Sequence, residues 1–400
     1  MKKGKTNVQV IGLKFCNPIL HLLEKLHKER KAPNRKLHYD QLTVLLLMAY
    51  FDSAHGTLRE IVAMSKLKKV QKALGVSATS LGSVSEASHV FDPELLRQIF
   101  LQTSALAFAA DGLPRPPGVS PKLALKAVDG SLWTALPRMY KALAREGPRP
   151  GRKPGFLLQV HYDLCSGVPT GAQVADAFAS EKELLLKSIA KDTCYIVDRG
   201  YFSYSLLQSI VDEGSSFVIR AKDYAVCRVR SENPLSDAAR KAGVYSDQVV
   251  DVGSAPHAQK LKQPLRMIRA RTQLPPQHNL IPGGRKQAAS EEGIVELILL
   301  TDRMDWDADL LMYLYSKRWQ IELFFRWFKH VLGCRHLIFE SENGFELQTY
   351  TALIGALLIV IYLGRKPNMA AMRAIRFYLN GWASYKEFRA MIDKVPAAKP

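Results

Sequence analysis

Five short apolar runs limit what this chain can fold into: Leu123–Val128, Phe156–Tyr162, Cys194–Val197, Ser216–Arg220 and Ile294–Leu300. Each is four to seven residues long, a strand's length rather than a helix's. A helical stretch from about Tyr204 to Glu213 separates two of them, and long helical patterns follow the last. Strands interleaved with helices predict an α/β core. The apolar share, 47% of 400 residues, is enough to fill two or three cores.

Helical patterns dominate residues 8–110. Leu42–Met48 reads as a buried helical run. Thr57 with Glu60 predicts a capping box, Ser83–His89 a short polar helix, and Asp92-Pro93 the start of another. Such short helices fit a DNA-reading helix-turn-helix and a plain helical bundle about equally well. Asp111–Gly118 is rich in Pro and Gly and reads as a linker. Between about Lys222 and Gly293, Gln248–Val252 and Leu265–Ala270 alternate among Pro/Gly loops, predicting a β-rich insertion. The resulting division is 1–110 helical, 111–221 core, 222–293 insertion, 294–366 core, and 367–400 a C-terminal helical segment suited to dimerisation or to capping.

Charge narrows the partner. Fifty-six Lys and Arg against 37 Asp and Glu leave a net charge of +19, which favours a polyanion because neutralising phosphates releases counterions. Ten of the cations lie in the first forty residues, and another basic stretch spans Arg138–Lys153. The five cysteines show no zinc spacing, so free thiols in a reducing cytoplasm are expected. No signal-peptide pattern follows the basic N-terminus, and Leu353–Leu363 falls short of the ~20 residues of a membrane span. A core helix and no membrane partner are expected.

Three acids stand where metal chemistry needs them. Asp129 follows an apolar strand in Val128-Asp129-Gly130-Ser131, and Asp198 does so in Val197-Asp198-Arg199-Gly200-Tyr201-Phe202. A carboxylate leaving a rigid strand suits a Mg²⁺ ligand; Asp near Gly is also ordinary turn chemistry. The third acid lies in Tyr315–Lys329, which has no Pro or Gly and reads as one helix. At about 100° per residue, Tyr315, Arg318, Glu322 and Lys329 share an arc of about 60°, opposite Ile321, Phe325 and Phe328. A solvated face with charge pairs would look similar. Trp319 and Trp327, at the arc's edges, read as packing residues.

These residues resemble a known family. Tyr315, Arg318, Glu322 and Lys329 reproduce the Y-x2-R-x3-E-x6-K signature of bacterial insertion-sequence DDE transposases of the insertion-sequence-four type, and the two Asp segments look like that family's first and second motifs. The resemblance runs from about Leu37 to Tyr362, and Ser180-Glu181-Lys182 and His161 match it only loosely. It implies a ribonuclease H-like catalytic core with a β-rich insertion, between an all-helical N-terminal domain and C-terminal helices. It implies that Asp129, Asp198 and Glu322 hold two Mg²⁺ ions (Mn²⁺ able to substitute), and that Tyr315, Arg318 and Lys329 contact DNA phosphates. The implied activity is metal-dependent cleavage at terminal inverted repeats and transfer of the 3′-hydroxyl ends to target DNA. A homodimer on double-stranded DNA, in the bacterial cytoplasm near the nucleoid, is the implied setting. Two alternatives share these residues: a nuclease of the same fold without strand transfer, and a transposase-derived repressor.

Overall fold

The computed structural model describes residues 13–29, 37–51, 57–74, 77–109, 112–134, 155–221, 227–253, 261–273, 294–330, 332–334 and 337–394. The basic stretch Arg138–Lys153 and most of the N-terminal cations lie outside the described residues. The strands form one mixed sheet: β1 (Ala124–Thr134), β2 (Gly155–Asp163), β3 (Val168–Asp176), β4 (Thr193–Val197), β5 (Ser216–Arg220), β6 (Cys227–Glu232), β7 (Val244–Val252), β8 (Leu265–Gln273) and β9 (Ile294–Thr301); all but β3 and β6 match runs expected from the sequence. Their spatial order is β3-β2-β1-β4-β5-β9-β8-β7-β6. β4 lies parallel to both β1 and β5, and the remaining neighbours are antiparallel.

Three features depart from the sequence reading. β3 begins Val168-Pro169-Thr170-Gly171, where Pro and Gly conceal a strand. Among the described residues no strand lies beyond β3, so Pro169 stands on an edge strand, where proline is tolerated. β6–β8, from the β-rich stretch, lengthen the core sheet by the full-length pairing of β8 with β9. The free edge, β6, carries exposed Arg228, Arg230 and Glu232, charges that discourage edge-to-edge pairing. The Pro/Gly segment after Ala109 does not run free: Leu113 N–H donates to the Leu164 carbonyl at 2.8 Å, and Ala109 N–H to the Ser166 carbonyl at 2.9 Å.

Helices cover both faces. On one lie α1 (Leu20–Glu29), α2 (Tyr39–Phe51), α3 (Leu58–Ser65), α4 (Lys68–Leu74), α5 (Leu81–Val90) and α6 (Pro93–Leu106). α3 has the expected capping box: Glu60 N–H donates to Thr57 Oγ1 at 3.3 Å and Thr57 N–H to Glu60 Oε2 at 2.9 Å. α7 (Glu181–Leu186) and α8 (Tyr204–Asp212) pack Leu185, Leu206, Leu207 and Ile210 on the other face, against Val128, Tyr195 and Val197. After the short α9 (Asp237–Lys241) come α10 (Ala308–Lys317), α11 (Trp319–His330), α12 (Glu342–Leu363), α13 (Met369–Leu379) and α14 (Tyr385–Lys394). The last two pack on each other, with Phe388 stacked on Tyr378 at 5.0 Å and Tyr362 at 5.9 Å.

α12 organises the helical side. It is long and apolar enough to cross a membrane by composition, yet most of it is buried against α2 and α6. Gly355 lets α2 approach: a methyl there would meet Leu47 at 3.3 Å. The N-terminal helices and the C-terminal half therefore share one core. Polar contacts seal the join. Tyr50 O–H donates to the Gln348 carbonyl at 3.1 Å, and Asn343 Nδ2 donates to the carbonyls of Ser88 and Phe91 at 2.9 and 2.7 Å.

The buried Gln348 Oε1 accepts the N–H groups of Ile338 and Phe339 at 2.8 and 3.2 Å. Gln348→Leu should strand both donors and cost about 2–4 kcal/mol, read as a lower urea midpoint at unchanged m-value. Glu346 is pushed up to about 7, by burial first and then by Glu342, Asp92 and Glu94. A raised acid favours the folded state when protonated, so stability falls as pH rises from about 4.5 towards 7 and then levels. Glu346→Gln should stabilise by about 1–2 kcal/mol at pH 8, after allowing for solvent screening, and by almost nothing at pH 4.

Candidate active site

The register of the parallel strands sets the site. β1 and β4 pair from Ala124↔Thr193 to Ala127↔Ile196 and then part. Two residues further on, the same register brings Asp129 level with Asp198. β4 ends at Val197, but β1 continues to Thr134 because β2 pairs with it from Lys126 onward, Asp129 facing Val160. Asp129 thus lies inside a strand and not at its end, as the sequence suggested. β5 extends the row, since Val197↔Ile219 brings Arg220 level with Asp198. Side chains alternate along strands. Ala127, Ile196 and Val218 join the core containing Ile321, Phe325 and Phe328, so Asp129, Asp198 and Arg220 look towards α11.

Residues 315–329 are not one helix. α10 ends at Lys317 and α11 begins at Trp319, with Arg318 at the joint. Arg318 N–H bonds the Tyr315 carbonyl at 3.1 Å and Ile321 N–H the Arg318 carbonyl at 3.2 Å, both three residues back, which tightens the turn without Pro or Gly. Tyr315 is therefore carried on α10 and Glu322 on α11. Across the joint, Arg318 Nη2 donates to Glu322 Oε1 at 2.5 Å. The far end of α11 is clamped to β1: Lys329 Nζ donates to the Leu132 carbonyl at 2.7 Å and lies 3.9 Å from the Trp133 ring centre. Trp133 Nε1 in turn donates to the Cys334 carbonyl at 2.7 Å.

Electrostatics shows what converges. The Asp129 carboxyl is pushed up to about 7, first by burial and then by Asp198, Glu181 and Glu322, with Arg318 pulling it down. Burial raises Tyr315 too; Arg318 and Arg220 oppose that rise and Asp198 adds to it. The three acids predicted from sequence, with Tyr315 and Arg318, thus occupy one region. Lys329 sits at its margin on Leu132 and Trp133.

Glu181, at the start of α7, joins these acids although nothing in its local sequence marks it. Tyr201 O–H donates to Glu181 Oε2 at 2.9 Å, and Gln159 Nε2 donates to the Glu181 carbonyl at 2.7 Å. Two glycines make room for acids: a methyl at Gly130 would lie 2.6 Å from the Glu181 carboxyl carbon, and one at Gly200 2.8 Å from Asp198 Oδ1. A cavity of about 730 Å³ opens here, lined by Asp129, Leu132, Thr134, Glu181, Asp198 and Gly200. An apolar cavity of about 430 Å³, lined by Trp319, Leu323, Phe324, Trp327 and Tyr313, contains none of the acids.

Residues 122–358 match the transposase DDE domain. The chain belongs to that family. Among its relatives, it is 26% identical over 271 residues to transposase InsG for insertion sequence element IS4 of Escherichia coli (strain K12), covering 65% of this chain and 55% of that one. The y4zB protein of Sinorhizobium fredii (strain NBRC 101917 / NGR234), which carries a transposase name, is 28% identical over 229 residues, 57% of this chain and 58% of that one. The chain thus spans less than three fifths of these relatives' lengths. The piggyBac transposase in a synaptic complex with hairpin DNA aligns with 98% of this chain and 84% of its own at a TM-score of 0.40 and 10% identity, too loose a likeness to bear on the site.

DDE transposases generally use divalent metal ions. The chemistry of the donor set fits such a cation: hard carboxylate oxygens, unbalanced charge and an adjoining cavity. Among the described residues, no three acidic, His or Cys side chains lie close enough to grip one ion as they stand. Glu322 is instead bonded to Arg318. Arg318→Ala should therefore cost about 2–4 kcal/mol by leaving that acid unpaired, and Arg318→Ala/Glu322→Ala should recover part of the loss. Urea midpoints of the two single variants and the double variant check this; strictly additive losses would show that the pair is not coupled.

Proposed function

We propose that the chain is a DNA transposase whose β1–β5 segment, with α7, α8 and α11, forms a ribonuclease H-like catalytic core. Asp129, Asp198 and Glu322 would hold the divalent cations, Mg²⁺ by preference. The support for this reading is the row formed by Asp129 and Asp198 where β1 and β4 part, with Glu322 in electrostatic reach across from it. Bound cations would supply a Lewis acid for the scissile phosphate and lower the cost of deprotonating the attacking hydroxyl.

The chain's own side chains would do the rest. Tyr315, with the Arg318 guanidinium 5.9 Å from its ring centre, would hydrogen-bond a phosphate oxygen. Arg318 would pass from Glu322 to DNA phosphate as that acid turns to the cations, so that one charge pair is exchanged for two. Lys329, fixed beside Trp133, would hold a backbone phosphate at the cavity's rim. The net charge of +19 supports a double-stranded DNA partner. We infer that cleavage at terminal inverted repeats is followed by transfer of the 3′-hydroxyl ends to target DNA, on a homodimer that pairs two ends.

Asp129→Ala, Asp198→Ala and Glu322→Ala should each lower Mg²⁺-dependent cleavage of end-bearing DNA by well over ~100-fold, beyond the usual loss for an outer partner of a metal ligand. Binding to the same duplex should persist. Cleavage retained by any one of them would remove that acid from the assignment. Lys329→Ala should weaken DNA binding and reduce the slope of log affinity against log salt by about one unit.

A further inference from the structure

We propose that Glu181 is a fourth carboxylate of this site and faces the same divalent cations as Asp129 and Asp198. The inference rests on the cation-binding reading above. It begins with place: Glu181 lines the cavity that Asp129 and Asp198 line, and its carboxyl group lies directly on Gly130, the residue after Asp129. Any side chain at position 130 would push it away.

Its surroundings hold the carboxylate but do not neutralise it. Its hydrogen-bond donor is neutral, the Tyr201 hydroxyl on one oxygen, while the neighbouring Gly130 N–H donates to Asp129 Oδ1 at 2.9 Å. Among the described residues no Lys or Arg pairs with it. A glutamine could accept from the same donor without repelling the neighbouring Asp129 and Asp198 carboxylates. Arg318, the guanidinium that opposes Asp129, is already bonded to Glu322. A charge kept where only neutral groups hold it, among other acids and beside an open cavity, calls for a cation from solution.

The mounting suits a metal-facing group. The Gln159 amide nitrogen bridges the Glu181 carbonyl and the Tyr201 hydroxyl at 2.7 and 3.1 Å, fixing both ends of the glutamate. Outer partners of this kind orient metal-binding carboxylates. Gln159 is fully buried, and its Oε1 has no donor among the described residues. Tyr201 stands three residues beyond Asp198, so one glutamate is tied to the segments carrying both aspartates.

Mn²⁺ binding to the full chain without DNA, followed by calorimetry, tests this. Glu181→Gln should raise the Mn²⁺ Kd about tenfold or more while the thermal midpoint in cation-free buffer stays level or rises, since a repulsion is removed. Glu181→Ala should raise the Kd at least as much, and Tyr201→Phe less than either. A Kd unchanged in both Glu181 variants, with Asp129→Asn still raising it, would overturn the role of Glu181 alone. A Kd unmoved by Asp129→Asn as well would overturn the cation-binding reading beneath it. A fallen midpoint with unchanged Kd would make Glu181 a structural brace and reject the proposal.

Discussion

Like charges gathered around Asp129 are the constraint on which the rest of this structure turns. Asp198, Glu181 and Glu322 all act against its ionisation, and Arg318 is the counterweight. Burying acids together is unfavourable unless a cation or a conjugate group balances them. The fold meets that cost locally, with Arg318 at a tightened helix joint where it reaches Glu322 and senses both Asp129 and Tyr315. Burial works against the Arg318 charge, and Tyr315, Glu322 and Asp129 more than offset it. Such a balance is provisional: a cation entering the acids would release the guanidinium for another anion.

The sheet makes this convergence possible. Where parallel strands β1 and β4 pair, Leu125, Ala127, Cys194 and Ile196 enter the core, and each strand presents its aspartate after the pairing stops. The gap between parting strands is where a polar group can stand on a rigid base yet meet solvent. Gly130 and Gly200 keep the gap clear, since a methyl at either would collide with a carboxylate. Trp133 then brings α11 onto the continuing part of β1, through its contact with Phe328 and the ammonium of Lys329. The same strand therefore carries one acid and anchors the helix that carries another.

What the sequence disclosed and what it concealed divide by the range of the forces involved. The capping box at Thr57, the Asp92 cap and the apolar strands are decided within a few residues, and they are legible. Asp129 and Asp198 were visible because an acid after an apolar run is a local anomaly, and Glu322 because its helix face has a period. β1 continuing beyond Asp129 was hidden, since the partner that extends it begins at Gly155. Glu181 was hidden for the same reason: Ser180-Glu181-Lys182 looks like any helix start, and its place beside the acids is set by Gly130 and Tyr201, 51 and 20 residues away. The joint at Arg318 has no Pro or Gly to mark it.

α12 shows why composition and fate come apart. A helix in lipid and a helix surrounded by protein both need apolar side chains on every face, so hydropathy alone cannot separate them. The difference lies in the few polar groups and what they hold. Gln348 accepts two backbone N–H groups from the segment before the helix, Tyr350 reaches the Ala172 carbonyl of β3, and Ser341 and Asn343 grip the end of α5. Between them these bonds reach the segment before the helix, β3 and the end of α5, which makes α12 a common axle for the N-terminal helices and the sheet. Because those helices and the sheet bearing Asp129 share that axle, the all-helical N-terminal region is packed as part of the body that carries the acids.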